Sequence, residues 1–206
     1  MSVHVIDHPL AQHYLAQLRD VTTQPERFRR ISRHLTTLLV IEATRSITQR
    51  EETVTTPIQD TSVSYLGEGL AAVPILRAGL SMLEPVLELF PDVAVGYVGL
   101  ERNEDTAEAR RYYMKLPRLE GRFCLALDPM LATGGWAAKA ITELKANGAK
   151  KVTMVCVISA PEGIAYLQSE HPDVEIYTAS VDERLNDKKY IVPGLGDFGD
   201  RLYGTM

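Results

Sequence analysis

From residue 70 onward the chain alternates between short, predominantly apolar runs and longer amphipathic stretches. The apolar runs are Leu70-Ala-Ala-Val-Pro-Ile-Leu76, Val93-Ala-Val-Gly-Tyr-Val98, Phe123 to Leu127, Val152 to Ile158 and Val174 to Ala179. Each has the length of a strand and none alternates with polar residues, as expected of strands covered on both faces. Helical patterns separate them: one through Glu88, one from about Trp136 to Ala146 closed by Gly148, and a short one after Pro161. The rhythm predicts an α/β fold, a parallel sheet flanked by helices. The first third is different. A short apolar segment near Val3 to Ile6 precedes two helical patterns, one after Pro9 and a longer one starting at Pro25, a favoured first-turn residue. The longer one carries Phe28, Ile31, Leu35, Leu38 and Leu39 at helical spacing, a stripe that packs on the core or on a second subunit. Thr53 to Val63 is β-branched and interrupted by Pro57, which reads as edge strands or an arm. Residues 1–206 are therefore expected to form one domain with an N-terminal helical segment and a β-arm or hood.

Composition changes this picture little. The 206 residues are 45% hydrophobic and 24% charged, enough for one substantial core. A net charge of -5 argues against nucleic acid or an anionic membrane as partner. Cys124 and Cys156 lie inside apolar runs and read as buried thiols, with too few ligands nearby for a zinc site. No apolar run reaches membrane-spanning length and the N-terminus lacks the basic and apolar regions of a signal peptide, so a cytoplasmic location is expected. His4, His8, His13, His34 and His171 fall outside the segments that carry chemistry and read as surface or capping residues.

The chemistry concentrates in Asp128-Pro129-Met130-Leu131-Ala132-Thr133-Gly134-Gly135. A strand ends in one carboxylate, passes through small residues and opens into a helix. Unpaired N–H groups and the positive end of the dipole at that helix start suit a phosphate, and glycines let it come close. The carboxylate cannot serve the phosphate, since like charges repel; it faces sugar hydroxyls or a cation. A phosphorylated sugar satisfies both, although taken alone the segment also reads as an ordinary βα turn whose glycines only permit a tight bend. A P-loop is excluded because Trp136 follows Gly134-Gly135 where lysine is required. The literal G-x-G-x-x-G, Gly194 to Gly199, lies too near the C-terminus for a dinucleotide-binding βαβ unit.

Ligands of parallel sheets bind at the carboxyl ends of the strands, which places Asp128, Arg77 and the segment after Val98 on one rim. Arg77, in Leu76-Arg77-Ala-Gly79, can fork onto a diphosphate, although alone it reads equally well as a surface arginine. Arg102 lies in the polar stretch Gly99 to Ala109, long enough for a lid, although alone that stretch reads as a solvated loop.

Taken together, Val73 to Gly79, Arg102-Asn-Glu104, Asp128 to Gly135, Ala160-Pro-Glu-Gly163, His171 to Ser180 and Ile191 to Asp197 resemble the uracil phosphoribosyltransferase family, of the type I phosphoribosyltransferase fold. The likeness runs from His8-Pro9-Leu10 to Gly204-Thr205. It implies transfer of a phosphoribosyl group from 5-phosphoribosyl 1-diphosphate to uracil, giving UMP and diphosphate, with Mg2+ bound mainly through the donor diphosphate and no metal site of the protein's own. By matching positions, Pro129, Met130, Leu131, Ala132, Thr133, Gly134, Gly135 and Trp136 would line the donor, with the 5-phosphate on Thr133 to Gly135. Asp128 would take ribose hydroxyls, Arg77 and Arg102 the diphosphate. Ile191, Gly196, Asp197 and Phe198 would present backbone groups to uracil, with Asp197 also approaching the donor. Arg77, Arg102, Asp128 and Asp197 are thus the expected catalytic set.

The chain departs from the family at four places. Trp136 stands where serine or threonine is usual, removing a hydroxyl donor; Glu101 replaces a common tyrosine; Phe198 replaces alanine, its ring either narrowing the base pocket or pointing away. Asp128-Pro129 offers one acid where related transferases have two. A transferase for another base remains open, because only Tyr190 to Gly199 speaks for uracil, as does a non-catalytic regulator that binds RNA; the acidic charge balance stands against the latter. The resemblance also implies a homodimer or larger assembly and leaves GTP regulation undecided.

Overall fold

The computed structural model describes residues 2–102 and 109–205, with backbone alone for 102 and 109–111. In chain order the elements are β1 (Val3–Val5), α1 (Pro9–Arg19), α2 (Pro25–Ala43), β2 (Gln49–Thr55), β3 (Asp60–Leu66), β4 (Gly69–Leu76), α3 (Leu83–Leu89), β5 (Ala94–Val95), β6 (Tyr97–Arg102) and β7 (Ala109–Lys115). Then follow β8 (Arg122–Leu127), β9 (Met130–Leu131), α4 (Gly135–Ala146), β10 (Lys151–Ser159), α5 (Pro161–Glu170), β11 (Glu175–Val181), β12 (Arg184–Leu185), β13 (Ile191–Val192) and α6 (Phe198–Tyr203). The main sheet runs β1-β11-β10-β8-β4-β6-β7, parallel except for the antiparallel pair β6 and β7. It is the expected parallel sheet flanked by helices.

Period-2 geometry splits each apolar strand between two cores. Leu70 and Ala72 of β4, Phe123, Leu125 and Leu127 of β8 and Val155 and Val157 of β10 face α1, α2 and α3. Their neighbours Ala71, Val73, Cys124, Ala126, Met154 and Cys156 face α4 and α5. The stripe on α2 is consumed by the first of these cores: Phe28, Leu35 and Leu39 are fully buried and Ile31 nearly so. Each such side chain contributes about 1.5–3 kcal/mol. The stripe thus carries no argument for a second subunit.

The expected arm is a hairpin of β2 and β3, paired from Gln49↔Leu66 to Thr55↔Asp60. Gly99 to Arg102, expected as the start of a polar loop, is instead the end of β6, because β7 pairs along it. Residues 103–108, the body of the proposed lid, lie outside the described residues.

The sheet also sets the rim. From β4 the sheet continues toward β8 on one side and β6 on the other, so the strand order reverses between β4 and β8. A crevice for ligand opens there, at the carboxyl ends. The turn after β4 is pressed onto that crevice: a Cβ on Gly79 would stand 2.2 Å from the Leu127 carbonyl oxygen, so only glycine fits.

Candidate active site

Asp128 sits where β8 breaks and the chain rejoins the same neighbour as β9. Its N–H donates to the Val155 carbonyl at 3.2 Å, while the Pro129 carbonyl accepts from Val157 and Ile158 at 2.9 and 3.1 Å. Pro129 is therefore buried and anchors the loop, and it does not line the cavity beside it. That cavity, of about 210 Å3, is lined by Asp128, Met130, Leu131, Ala132, Thr133, Gly134, Trp136, Ala137 and Lys189. Gly134 caps α4 with φ 82° and no side-chain hydrogen bond, which leaves the first N–H groups of the helix open. Space above Gly135 is open too, for a Cβ there would meet only Thr133 Oγ1, at 3.9 Å. The turn is clamped from beneath: a Cβ on Gly134 would lie 2.6 Å from the Gly163 carbonyl oxygen, and one on Gly163 2.3 Å from that of Ala132. The result is a rigid cradle of donors at a helix start.

Among the described residues Asp128 forms no ion pair, although Lys189 lines the same cavity. Burial pushes its carboxyl up to about 7, against a weak opposing hydrogen bond from the Met130 N–H at 3.4 Å. It is a carboxylate poised between its two protonation states at neutral pH.

A second cavity, of about 510 Å3, adjoins the cradle and shares Trp136 as a wall. Arg77 and Asp197 line it, with Leu76, Ala78, Leu100, Glu101, Tyr112, Gly199 and Tyr203. Arg77 is exposed and follows a cis Leu76–Arg77 peptide bond. The side chain of Arg102 lies outside the described residues; its backbone ends β6 beside Glu101, on this rim. Tyr112 and Tyr203 were not foreseen, because β7 and α6 carry no apolar periodicity that would place them.

A third cavity, of about 420 Å3, shares Asp197 and is lined by Tyr190, Pro193, Gly194, Leu195, Gly196, Asp200, Arg19, Val21 and Arg201. The Asp197 carboxylate caps α6 by accepting from the Asp200 N–H at 2.9 Å. Ile191 is buried. The Phe198 ring points away from the cavity and packs edge-on against Phe28 with centroids 5.0 Å apart, so this residue offers the site only its backbone.

The loop between Ile191 and Phe198 is held by residues that sequence reasoning missed. Arg19 grips Asp182 with both ends of its fork, at 2.6 and 2.8 Å, and donates to the Gly194 carbonyl at 2.7 Å. Asp182 in turn accepts from the Gly194 N–H at 2.9 Å. Burial raises the Asp182 carboxyl, but hydrogen bonds from Arg19 and Ser180 together with the Arg19 charge outweigh it and hold the group below its ordinary range. Arg201 donates to the Leu18, Leu195 and Asp20 carbonyls and lies over the Phe28 ring at 4.6 Å. Arg19 reaches Asp182 and Gly194, and Arg201 reaches Leu18 and Asp20, across more than 160 residues of sequence, and no spacing rule could have found these pairings.

Of the five histidines, His171 departs from the surface or capping expectation. It ends α5, yet its ring is buried under α4, with Nε2 2.9 Å from the Ala138 carbonyl and 3.0 Å from Thr142 Oγ1. His8 does cap α1, accepting from the Leu10 N–H at 3.1 Å.

A switch-point crevice, a phosphate cradle beside a lone carboxylate and an arginine on the adjoining rim define a phosphoribosyltransferase of the type I fold. A phosphoribosyltransferase from Corynebacterium diphtheriae shares that fold, with a TM-score of 0.52 over 84% of this chain and 93% of its own at 17% identity. The family model for uracil phosphoribosyltransferase matches residues 5–205, and the chain belongs to that family. It is 49% identical over 205 residues to the uracil phosphoribosyltransferase of Shouchella clausii, covering 98% of both chains. It is also similar to the AQ2163 protein from Aquifex aeolicus, with a TM-score of 0.92 and 44% identity over 98% of each chain.

Proposed function

We propose that this chain transfers the phosphoribosyl group of 5-phosphoribosyl 1-diphosphate to uracil, giving UMP and diphosphate, as a pyrimidine salvage enzyme. The observation that carries the reading is the pair of adjoining cavities divided by Trp136, one a phosphate cradle with Asp128, the other an open space with Arg77 and Asp197. A donor with a phosphate at one end and a diphosphate at the other spans them.

In this reading the N–H groups at Thr133 to Gly135 hold the 5-phosphate and Asp128 accepts from ribose hydroxyls. Arg77 and Arg102 fork onto the diphosphate. Backbone groups at Ile191, Gly196, Asp197 and Phe198 read the carbonyl and N–H edges of uracil. Attack by the base nitrogen at the anomeric carbon breaks the bond to diphosphate through an oxocarbenium-like state, in which the leaving group gathers negative charge, and the proton on that nitrogen passes to the departing diphosphate or to water. Cations already fixed around that charge stabilise the transition state more than the ground state. Closure of the segment carrying Arg102 would keep water from hydrolysing the donor.

Among the described residues no three His, Cys, Asp or Glu side chains gather into a cation site. Asp128 is the one carboxylate among the described residues that line its cradle. This donor set fits Mg2+ held mainly by diphosphate oxygens and water, where the ion neutralises charge on the leaving group. Also part of the reading are an assembly of two or more copies and a cytoplasmic location; among the described residues no helix is long and apolar enough to cross a membrane.

The test is diphosphate release with a panel of bases. Release that depends on uracil supports the reading. Release only with another base would reassign the acceptor, and none with any base would make the chain a ligand-binding regulator.

A further inference from the structure

The turn between β12 and β13 is organised by Asn186. Its N–H donates to the Tyr190 carbonyl and its carbonyl accepts from the Lys189 N–H, both at 2.9 Å. Its side-chain Oδ1 accepts from Lys188 N–H at 3.0 Å and Tyr190 N–H at 2.9 Å. Inside this turn Lys189 has a φ of 67°, the one non-glycine residue with positive φ among those described. Glycine would adopt that conformation without cost, whereas a lysine is strained by it. A strained residue held by its surroundings beside a ligand cavity points to a use for its side chain.

Lys189 lines the cradle cavity with Asp128, Thr133, Gly134 and Trp136, and among the lining residues it is the only cation. The other groups there that suit an anion are backbone N–H groups and the Thr133 hydroxyl, and an indole occupies the second position of α4. Two carboxylates compete for it: Asp128 on the same cavity, and the exposed Glu162, which accepts from the Leu185 N–H at 2.9 Å and is held below its usual range by that bond and in part by the Lys189 charge. An exposed carboxylate of this kind holds a lysine weakly.

We propose that Lys189 is a donor-binding residue, its ammonium supplying the full positive charge for the 5-phosphate seated at Thr133 to Gly135. The inference rests on the reading of that turn as the 5-phosphate cradle. It also offsets the missing hydroxyl at Trp136, since the cation approaches the same cavity from the opposite chain segment.

The test titrates ribose 5-phosphate and, separately, inorganic diphosphate into wild type, Lys189→Met, Lys189→Gly and Lys189→Arg by calorimetry. Trp136 fluorescence is a second readout, since it is the only tryptophan and borders the cavity. Met and Gly variants are expected to bind ribose 5-phosphate roughly tenfold more weakly, the size of one charge-assisted hydrogen bond, with the gap narrowing at high salt. The Arg variant should stay within about twofold, and diphosphate binding should be the same in all four. In turnover the donor KM should rise with kcat nearly unchanged, because the 5-phosphate keeps its charge throughout the reaction. Lys189→Gly relieves the backbone and so separates charge from folding. Affinity for ribose 5-phosphate in that variant equal to wild type would overturn the proposal, as would an equal loss for both ligands. Failure of the wild type to bind ribose 5-phosphate would sink the cradle reading itself and the lysine's role with it.

Discussion

Asp128 combines two demands that conflict. It must be ionised to accept from two sugar hydroxyls, yet its burial at the break in β8 favours the neutral acid, with a pKa of about 7. The folded state therefore holds a proton that the unfolded chain releases near 3.8, and stability falls as pH rises from about 4 to about 7. Asp128→Asn is expected to raise the stability of the ligand-free protein at pH 8, by at most about 4 kcal/mol at 1.36 kcal/mol per pH unit. Wild type is expected to gain donor kcat/KM between pH 6 and 8 as Asp128 ionises, and the same variant should lose that rise. Denaturant unfolding and a pH profile check the two halves, and an unchanged stability at pH 8 would contradict the burial argument. At Trp136, serine should restore a hydroxyl to the second residue of α4 and lower the donor KM roughly tenfold in steady-state kinetics.

At the scale of elements, the cradle works because the turn at Gly134 presses so closely on Gly163 of α5 that neither position has room for a Cβ. Gly134→Ala is expected to add left-handed strain of about 1–2 kcal/mol and to drive a methyl toward the Gly163 carbonyl, 2.6 Å from its ideal position. Donor affinity should fall at least about tenfold and the melting temperature by about 5 °C, read by calorimetry. The base loop depends on a different contact. Asp182→Asn leaves Arg19 without its carboxylate, and the loop from Pro193 to Gly196 loses its anchor. We expect the uracil KM to rise about tenfold with ribose 5-phosphate affinity unchanged, and stability to drop by about 2–4 kcal/mol, tempered by the partial exposure of Arg19. Because the Asp182 carboxyl is held below its usual range, this stabilisation is present above pH 4 and fades as pH falls toward the folded-state value.

Elements were legible where one physical signal dominated. β4, β8, β10 and β11 are predominantly apolar because both faces are covered, and α2 shows its buried face at helical spacing. β7 was missed since Ala-Arg-Arg-Tyr-Tyr-Met-Lys, at a sheet edge, needs no apolar face. α6, six residues containing glycine and aspartate, is held by Phe198 on Phe28 rather than by propensity. In the candidate site, Asp128, Thr133 to Gly135, Arg77 and Asp197 were readable as motif residues, and the structure sets all of them but Gly135 along the walls of the three cavities. Lys189 was not, because a turn conformation leaves no trace in composition or period.

At the scale of the whole molecule, two cores on opposite faces of one sheet account for the fold without any help from a neighbour. The hairpin of β2 and β3 is the exception. Ile58 is 92% exposed and Tyr65 and Leu66 about half, on a two-stranded unit of a kind that is marginal in water alone. In the proposed assembly of two or more copies, a second copy would cover it. Sedimentation is expected to give at least twice the 22.9 kDa chain mass, and a monomer at micromolar concentration would count against this assembly.

Cys124 and Cys156 lie on neighbouring strands of the core beneath α4, both wholly buried and with thiols pushed up to about 11 and about 12 by desolvation. An alkylating reagent added to the native protein therefore has nothing to attack until the central sheet comes apart. The pair acts as a natural clock for global opening: its labelling rate counts excursions to the unfolded state, and saturating donor should slow that clock in proportion to binding strength.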